Sequence, residues 1–100
     1  MVHYAASKGG VIAMTKALAR EYAPLGITVN NVPPSGIETP MQHEQQVEGN
    51  LPSNEVMAQA IPLGRLGTGD DIAAACAFLT SDEAGFITGQ VLGVNGGSYI

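Results

Sequence analysis

Basic residues are scarce in this 100-residue chain: four Lys plus Arg stand against nine Asp plus Glu, for a formal net charge of −5. That balance repels phosphate backbones and anionic lipid, and no basic cluster offsets it, so neither a nucleic acid nor a membrane is an expected partner. Cysteine is almost absent as well. The single Cys76 excludes an intramolecular disulfide, and its place in the apolar run "IAAACAFL" reads as a small buried residue in a reducing compartment. No apolar stretch approaches the roughly 20 residues that span a bilayer, and "MVHYAAS" has neither the charged start nor the apolar run of a secretion signal, so a cytoplasmic protein is expected. Repeats and low-complexity tracts are lacking too. What is present, 45% apolar and 13% charged residues, is the composition of one folded unit.

From Tyr4 to Tyr22 the chain is free of proline and stopped by "PLG" at 24–26, which predicts a helix. Helical periodicity puts Val11, Met14, Leu18 and Tyr22 on one stripe, with Tyr4 projecting onto it and Lys8 at its edge. Gly10, Ala13 and Ala17 form a flat flank that admits close approach of another backbone. "ITVNNV" (27–32) is β-branched and bounded by Gly26 and Pro33, so it reads as a strand. "PPSGIETP" then reads as a loop at the strand's C-terminal end. Residues 41–60 are polar and broken by Gly49 and Pro52, consistent with short helical pieces in a mobile flap. Thr68 is a suitable N-cap, with Asp70 and Asp71 in the first turn of a helix expected from about Asp70 to Thr80, turning Ile72, Cys76 and Leu79 inward. "QVLGVNGG" (90–97) reads as a last strand running into a glycine turn. Two strands joined through helices should lie parallel in a right-handed crossover. Such a pair is normally buried within a larger sheet, so the expected fold is an incomplete α/β domain.

The pair in "HYAASKGG" raises the question of chemistry. Tyr4 and Lys8 lie four apart on one helical face, close enough to act together. A phenol titrates near 10 in water, and a cation held beside it favours the phenolate, so the pair can serve as a general acid/base couple at a carbonyl or alcohol. The same spacing equally suits a tyrosine that begins the apolar stripe and a lysine whose stem passes over it. A bare Tyr-x-x-x-Lys does not decide between them.

"YAASKGGVIAMTKALAREYAPLGITVNNVPPSGIETPM" followed by "IPLGRLGTGDDIAAACAFLTSDEAGFITGQVLGVNGG" resembles the C-terminal half of the short-chain dehydrogenase/reductase family along nearly its whole length. The resemblance rests on the Tyr-x-x-x-Lys helix, Val-Asn in the strand, the Gly-Ile-x-Thr loop, Pro-Leu-Gly-Arg, the Phe-Leu-x-Ser helix end and Thr-Gly-x-x-x-x-Val-x-Gly-Gly. It implies a Rossmann-type doubly wound parallel sheet, of which residues 1–100 are the C-terminal half, with a catalytic helix at 3–23, a nicotinamide loop at 33–40 and a substrate flap at 41–60. It further implies a hydride-transferring oxidoreductase that uses NAD or NADP on a small-molecule carbonyl/alcohol pair, with 3-oxoacyl thioesters one of several substrate classes, and a homo-oligomer formed through the tyrosine-bearing helix. Tyr4 would be the catalytic acid/base, and Lys8 would hold the nicotinamide ribose. Pro34, Ser35, Gly36, Ile37 and Thr39 would form the loop that holds the carboxamide, through the Ile37 backbone, with the Thr39 hydroxyl going to the carboxamide or the pyrophosphate. Asn30 would be structural.

The chain departs from the family pattern at three places. Pro34 is followed by Ser35, with Gly36 one position later than the family's Pro-Gly, and Asn95 stands where Asp is usual. The glycine-rich pyrophosphate turn, the catalytic serine and the catalytic asparagine have no counterpart here, and only three residues precede Tyr4. Met1 therefore reads as an internal methionine of a longer protein, and the 100 residues alone are expected to be inactive. The rival reading is a truncated, non-catalytic fragment that only associates through its helix and strand faces. His3, His43 and Cys76 lack metal-site spacing, Ser7 and Ser35 lack a histidine base, and Arg65 reads as exposed or helix-capping rather than as a phosphate ligand.

Overall fold

An alanine-containing run without proline forms the longest element. In the computed structural model, which describes all of residues 1–100, helix α1 spans Val2–Tyr22 and carries Arg20 in its last turn. A single 3₁₀ turn, Ala23–Leu25, begins around Pro24 and closes on Gly26 at φ 75°, a left-handed position that glycine adopts without strain.

The apolar stripe of α1 is not its buried face. Thr15 and Ala19 are 5% and 3% exposed, whereas Val11, Met14 and Tyr22 are 42%, 55% and 41% exposed. The reason lies in what α1 meets: Ala19 Cβ lies 3.4 Å from the point a side chain on Gly89 would occupy, so small residues make the contact with the 88–89 turn. Of the stripe, Leu18 is half-buried and Val11, Met14 and Tyr22 are left in solvent.

Segments 29–37 and 87–94 run parallel, as expected, but not as regular strands. Their bridges are Asn31 with Val91 and Pro34 with Val94. Asn31 N–H donates to Gln90 O (2.9 Å) and Leu92 N–H to Asn31 O (2.8 Å); beyond, Val94 N–H donates to Pro33 O (3.2 Å) and Ser35 N–H to Val94 O (3.1 Å). The rung between is missing because Pro33 has no N–H to offer Leu92 O. One proline thus divides a ladder into separate bridges, and the expected strands at 27–32 and 90–97 reduce to them.

Below the first bridge the register slips by one residue. Gly89 N–H takes Val29 O (2.7 Å), the acceptor that Gln90 would use in an unbroken parallel ladder. Gly89 sits at φ 70°, as a bulge glycine does. Side chains restore the lost rungs: Val29 N–H donates to Thr88 Oγ1 (3.0 Å), Asn30 Nδ2 donates to Ile87 O (3.1 Å), and Asn30 Oδ1 accepts from Gln90 N–H (3.0 Å).

The 41–60 stretch forms α2 (Pro40–Val47) and α3 (Asn54–Gln59) on either side of the expected break. Thr39 caps α2 in a reciprocal box with Gln42, and Ser53 caps α3. Helix α4 (Gly69–Leu79) begins at the predicted Thr68 cap, where Thr68 and Asp71 form a second box. Of its expected inward residues, Leu79 is buried and Ile72 half-buried, but Cys76 is exposed. Cover reaches both ends of this face but not its middle, where the thiol lies exposed, which corrects the reading of Cys76 as buried. Only Ala19, Ile61, Leu79 and Ala84 are buried apolar residues. The radius of gyration is 16.0 Å, against about 13 Å for a closed 100-residue domain.

Candidate functional site

Helix α1 puts Tyr4 and Lys8 one turn apart, and the lysine stem folds back so that Nζ lies 5.5 Å from the tyrosine ring centroid. This is cation–π distance. Tyr4 is 51% exposed. Its ring is therefore available to a ligand, and the backbone beneath it is fixed by the helix and by Ser7 Oγ donating to Tyr4 O (2.9 Å).

The loop after the first extended segment is held by pairing on both sides. Ser35 N–H is engaged with Val94 O, while Gly36 O accepts from Gly67 N–H (2.8 Å) and Glu38 N–H donates to Gly67 O (2.9 Å). Ile37 is bridged to Gly67 in parallel sense. In that geometry the partner's bonds go to residues 36 and 38, so the N–H and C=O of Ile37 itself point the other way and carry no protein partner. Gly36 is required where it stands: its φ is 69°, and a Cβ there would come 2.9 Å from Ile61 Cδ1. The shift from Pro-Gly to Pro-Ser-Gly thus places the glycine at the one left-handed position of the loop.

Ser35, Gly36 and Ile37 line a cavity of about 210 Å³ with Ile61, Arg65 and Asp71. Tyr4, Lys8, Pro34 and Thr39 do not line it. Pro34 is used in the bridge to Val94. Thr39 Oγ1 accepts from Gln42 N–H (3.1 Å) as the cap of α2, which leaves the hydroxyl proton free to donate. Ile61 is clasped between two glycines, since a Cβ on Gly96 would come 2.6 Å from its Cγ2. Asn95 Oδ1 accepts from Gly97 N–H (2.9 Å), the local task an Asp would also perform, while Nδ2 donates to Tyr99 O (3.1 Å), a bond an Asp carboxylate has no proton to make.

One polar group escaped sequence reasoning. Arg65 makes a two-pronged ion pair with Asp71, Nη1 to Oδ2 at 2.9 Å and Nη2 to Oδ1 at 3.2 Å. The Arg65 hydrogen bonds and the Thr68 N–H hold the Asp71 carboxyl well below the usual carboxylate range, and Asp71 raises the Arg65 guanidinium in turn. The signal was present as Thr-x-x-Asp, a capping box in which the arginine just upstream can reach the carboxylate. The histidines and Cys76 assemble no group of three potential metal ligands. Residues 42, 46 and 54 form a polar cluster across the flap, with Gln42 Nε2 and Gln46 Nε2 both donating to Asn54 Oδ1 (2.8 and 2.7 Å).

Residues 1–99 match the family described as enoyl-(acyl carrier protein) reductase. The chain is 50% identical to the 3-oxoacyl-(acyl-carrier-protein) reductases of Salmonella typhimurium and Escherichia coli, over 98% of its own length and 38% of theirs. The reductase of Thermotoga maritima is 46% identical over the same shares. Among solved structures, YwfH, described as an NADPH-dependent reductase involved in bacilysin biosynthesis, superposes with a TM-score of 0.79 at 37% identity, covering 91% of this chain and 37% of that one. A Brucella melitensis structure described as ribose-5-phosphate isomerase gives 0.86 at 37% identity, covering 95% and 36%. These likenesses establish the Rossmann-type α/β fold, while the different activities named for the two structures show why the site must carry the functional argument. The chain spans a little over a third of the length of the curated relatives it matches, and none of these likenesses favours the association-only reading.

Proposed function

The chain belongs to the short-chain dehydrogenase/reductase family, and on that premise we propose that it carries the proton-transfer and nicotinamide-facing parts of an NAD(P)-dependent oxidoreductase acting on a carbonyl/alcohol pair. A 3-oxoacyl thioester is the favoured substrate, by likeness to the reductases that are 50% identical. NADPH is the favoured cofactor, by likeness to the NADPH-dependent neighbour.

The residues present fit a nicotinamide dinucleotide. Ile37 offers an unpaired N–H and an unpaired C=O from one rigid position, which matches the acceptor and donor of a primary carboxamide. Ser35 and Gly36 shape that side of the site, with Pro34 bracing the loop from the ladder, and the Thr39 hydroxyl can donate beside them. Lys8 would bind the ribose hydroxyls. When bound, the reduced cofactor supplies the hydride. Tyr4 gives its phenolic proton to the carbonyl oxygen as that hydride arrives at carbon, and takes a proton from the alcohol in the reverse direction. The Lys8 ammonium, 5.5 Å from the ring, stabilises the negative charge that the Tyr4 oxygen acquires at that moment. Helices α2 and α3, tied through Asn54, would cover the substrate and exclude water. The exposed Gly10, Ala13 and Ala17 flank of α1 would serve a homo-oligomer in the cytoplasm.

The Tyr4–Lys8 geometry carries this reading. The test is loss of dihydronicotinamide absorbance when protein made from the complete reading frame meets a short 3-oxoacyl thioester with NADPH. Turnover is expected, and replacing Tyr4 by Phe should lower kcat by about 10²–10⁴-fold, the contribution of a positioned proton donor. No turnover with NADPH or NADH, or a Tyr4→Phe variant as active as the parent, would sink the reading.

A further inference from the structure

We infer that Asp71 is a positioning residue for the nicotinamide end of the cofactor site and acts through Gly67, an inference that rests on the oxidoreductase reading above. The Asp71 carboxylate gathers the turn before α4. Its Oδ2 accepts from Thr68 N–H (2.8 Å) and Arg65 Nη1 (2.9 Å), its Oδ1 accepts from Arg65 Nη2 (3.2 Å), and Arg65 Nη1 also donates to Leu66 O (3.0 Å). Residues 65, 66 and 68 are thereby tied around one carboxylate. Gly67, in the middle of the tie, gives both of its backbone groups to residues 36 and 38.

The fit at Gly67 is close on both sides. A Cβ there would lie 2.5 Å from Ile37 Cδ1 and 3.6 Å from Asp71 Oδ2, so the Ile37 side chain and the carboxylate together crowd the space that a side chain on Gly67 would need. Pairing with Gly67 is also what turns the Ile37 N–H and C=O away from the protein. A two-point match to a carboxamide needs both groups held in a fixed direction, because small displacements weaken directional hydrogen bonds steeply. Asp71 supplies that rigidity from the Gly67 side of Ile37, away from the direction in which the free Ile37 N–H and C=O point.

The test compares Asp71→Asn, Asp71→Glu and the parent, each in the protein made for the turnover assay above, by amide hydrogen exchange and by calorimetric titration. Asparagine retains an acceptor for Thr68 N–H but loses the charge that holds Arg65, so the helix cap survives. In Asp71→Asn the Gly67 and Glu38 amides should exchange about tenfold faster while Gly89 N–H, in the ladder below, stays at the parental rate, the pattern of a local opening. NADPH binding should weaken about tenfold with binding of 2′-phospho-ADP-ribose, which lacks nicotinamide, unchanged. Asp71→Glu should restore both readouts in large part. Unchanged exchange at Gly67 and Glu38, acceleration of all three amides together, or equal weakening of NADPH and 2′-phospho-ADP-ribose would each overturn the inference. Failure of the parent to bind either nucleotide would overturn the oxidoreductase reading instead, with the exchange data still deciding whether Asp71 holds the loop.

Discussion

Tyr4 and Lys8 meet because they share a helix, whereas Ile37 and Gly67 meet because two loops distant in sequence are pinned together. The first pair needs only the 3.6-residue turn of α1, and its 5.5 Å geometry forms on a face with no other cover. The second needs a glycine at φ 69°, a glycine wedged against Ile37 and a carboxylate tying the turn beyond it. The groups proposed for proton transfer are local in origin. Those proposed to orient a ligand are tertiary. A substitution in the helix should therefore change chemistry with little effect on folding, and one in the clasp should change folding and affinity together.

The sharpest break in that contrast is Tyr4→Phe, where the large loss of kcat given above should come with a urea midpoint within experimental error of the parent, since the exposed hydroxyl has no protein partner. Next is Gly96→Ala. With φ at 61° and Ile61 Cγ2 only 2.6 Å from the new Cβ, about 1–3 kcal/mol of stability should be lost, read as a lower urea midpoint. Asn30→Ala removes two of the three side-chain bonds that mend the register slip, for an expected loss of about 1–3 kcal/mol and faster exchange at Gln90 N–H. Pro33→Ala should have a smaller effect on stability and a qualitative effect on the ladder. A protected amide appears at position 33, bonded to Leu92 O, and the two bridges merge; an unprotected amide there would refute proline as the cause of the gap.

The smallest expected effect is on pH dependence. Asp71 in the folded chain sits below its ordinary value of 3.8, so its stabilising contribution is complete well above that value, begins to fade as the unfolded chain protonates there, and is lost as pH falls through the depressed folded pKa. Between neutrality and about pH 5 the Asp71–Arg65 pair should contribute almost no slope to a stability profile, because Asp71 is ionised in both folded and unfolded chains there. At lower pH the parent should lose stability more steeply than Asp71→Asn, measured by urea unfolding at stepped pH.

Much of the scaffold was legible in the residues. Thr68 announced the start of α4, Gly49 and Pro52 the break in the flap, and the two extended segments their parallel sense. The burial pattern was not. Periodicity marked Val11, Met14 and Tyr22 as a face, but burial depends on what lies opposite, and here a glycine turn selects Ala19 and Thr15 instead. Cys76 went astray in the same way: an apolar run states a preference for burial without supplying the neighbour that provides it. At the site, resemblance named Ile37, yet only the pairing of its neighbours with Gly67 showed that its own backbone groups are free. The Arg65–Asp71 tie was hidden because an ion pair across a turn depends on the turn's path.

Sequence by itself determined where helices begin and stop, that Tyr4 and Lys8 share a face, and that the extended segments run parallel. Those outcomes follow from capping groups, the helical repeat and chain connectivity, all of which act over a few neighbouring residues or constrain the chain as a whole. Tertiary structure alone decided which face of α1 is covered, where the ladder breaks and slips, and which backbone groups remain unpaired. These depend on atoms brought within a few ångströms from far along the chain, and their energetics are fixed by that proximity rather than by any local preference.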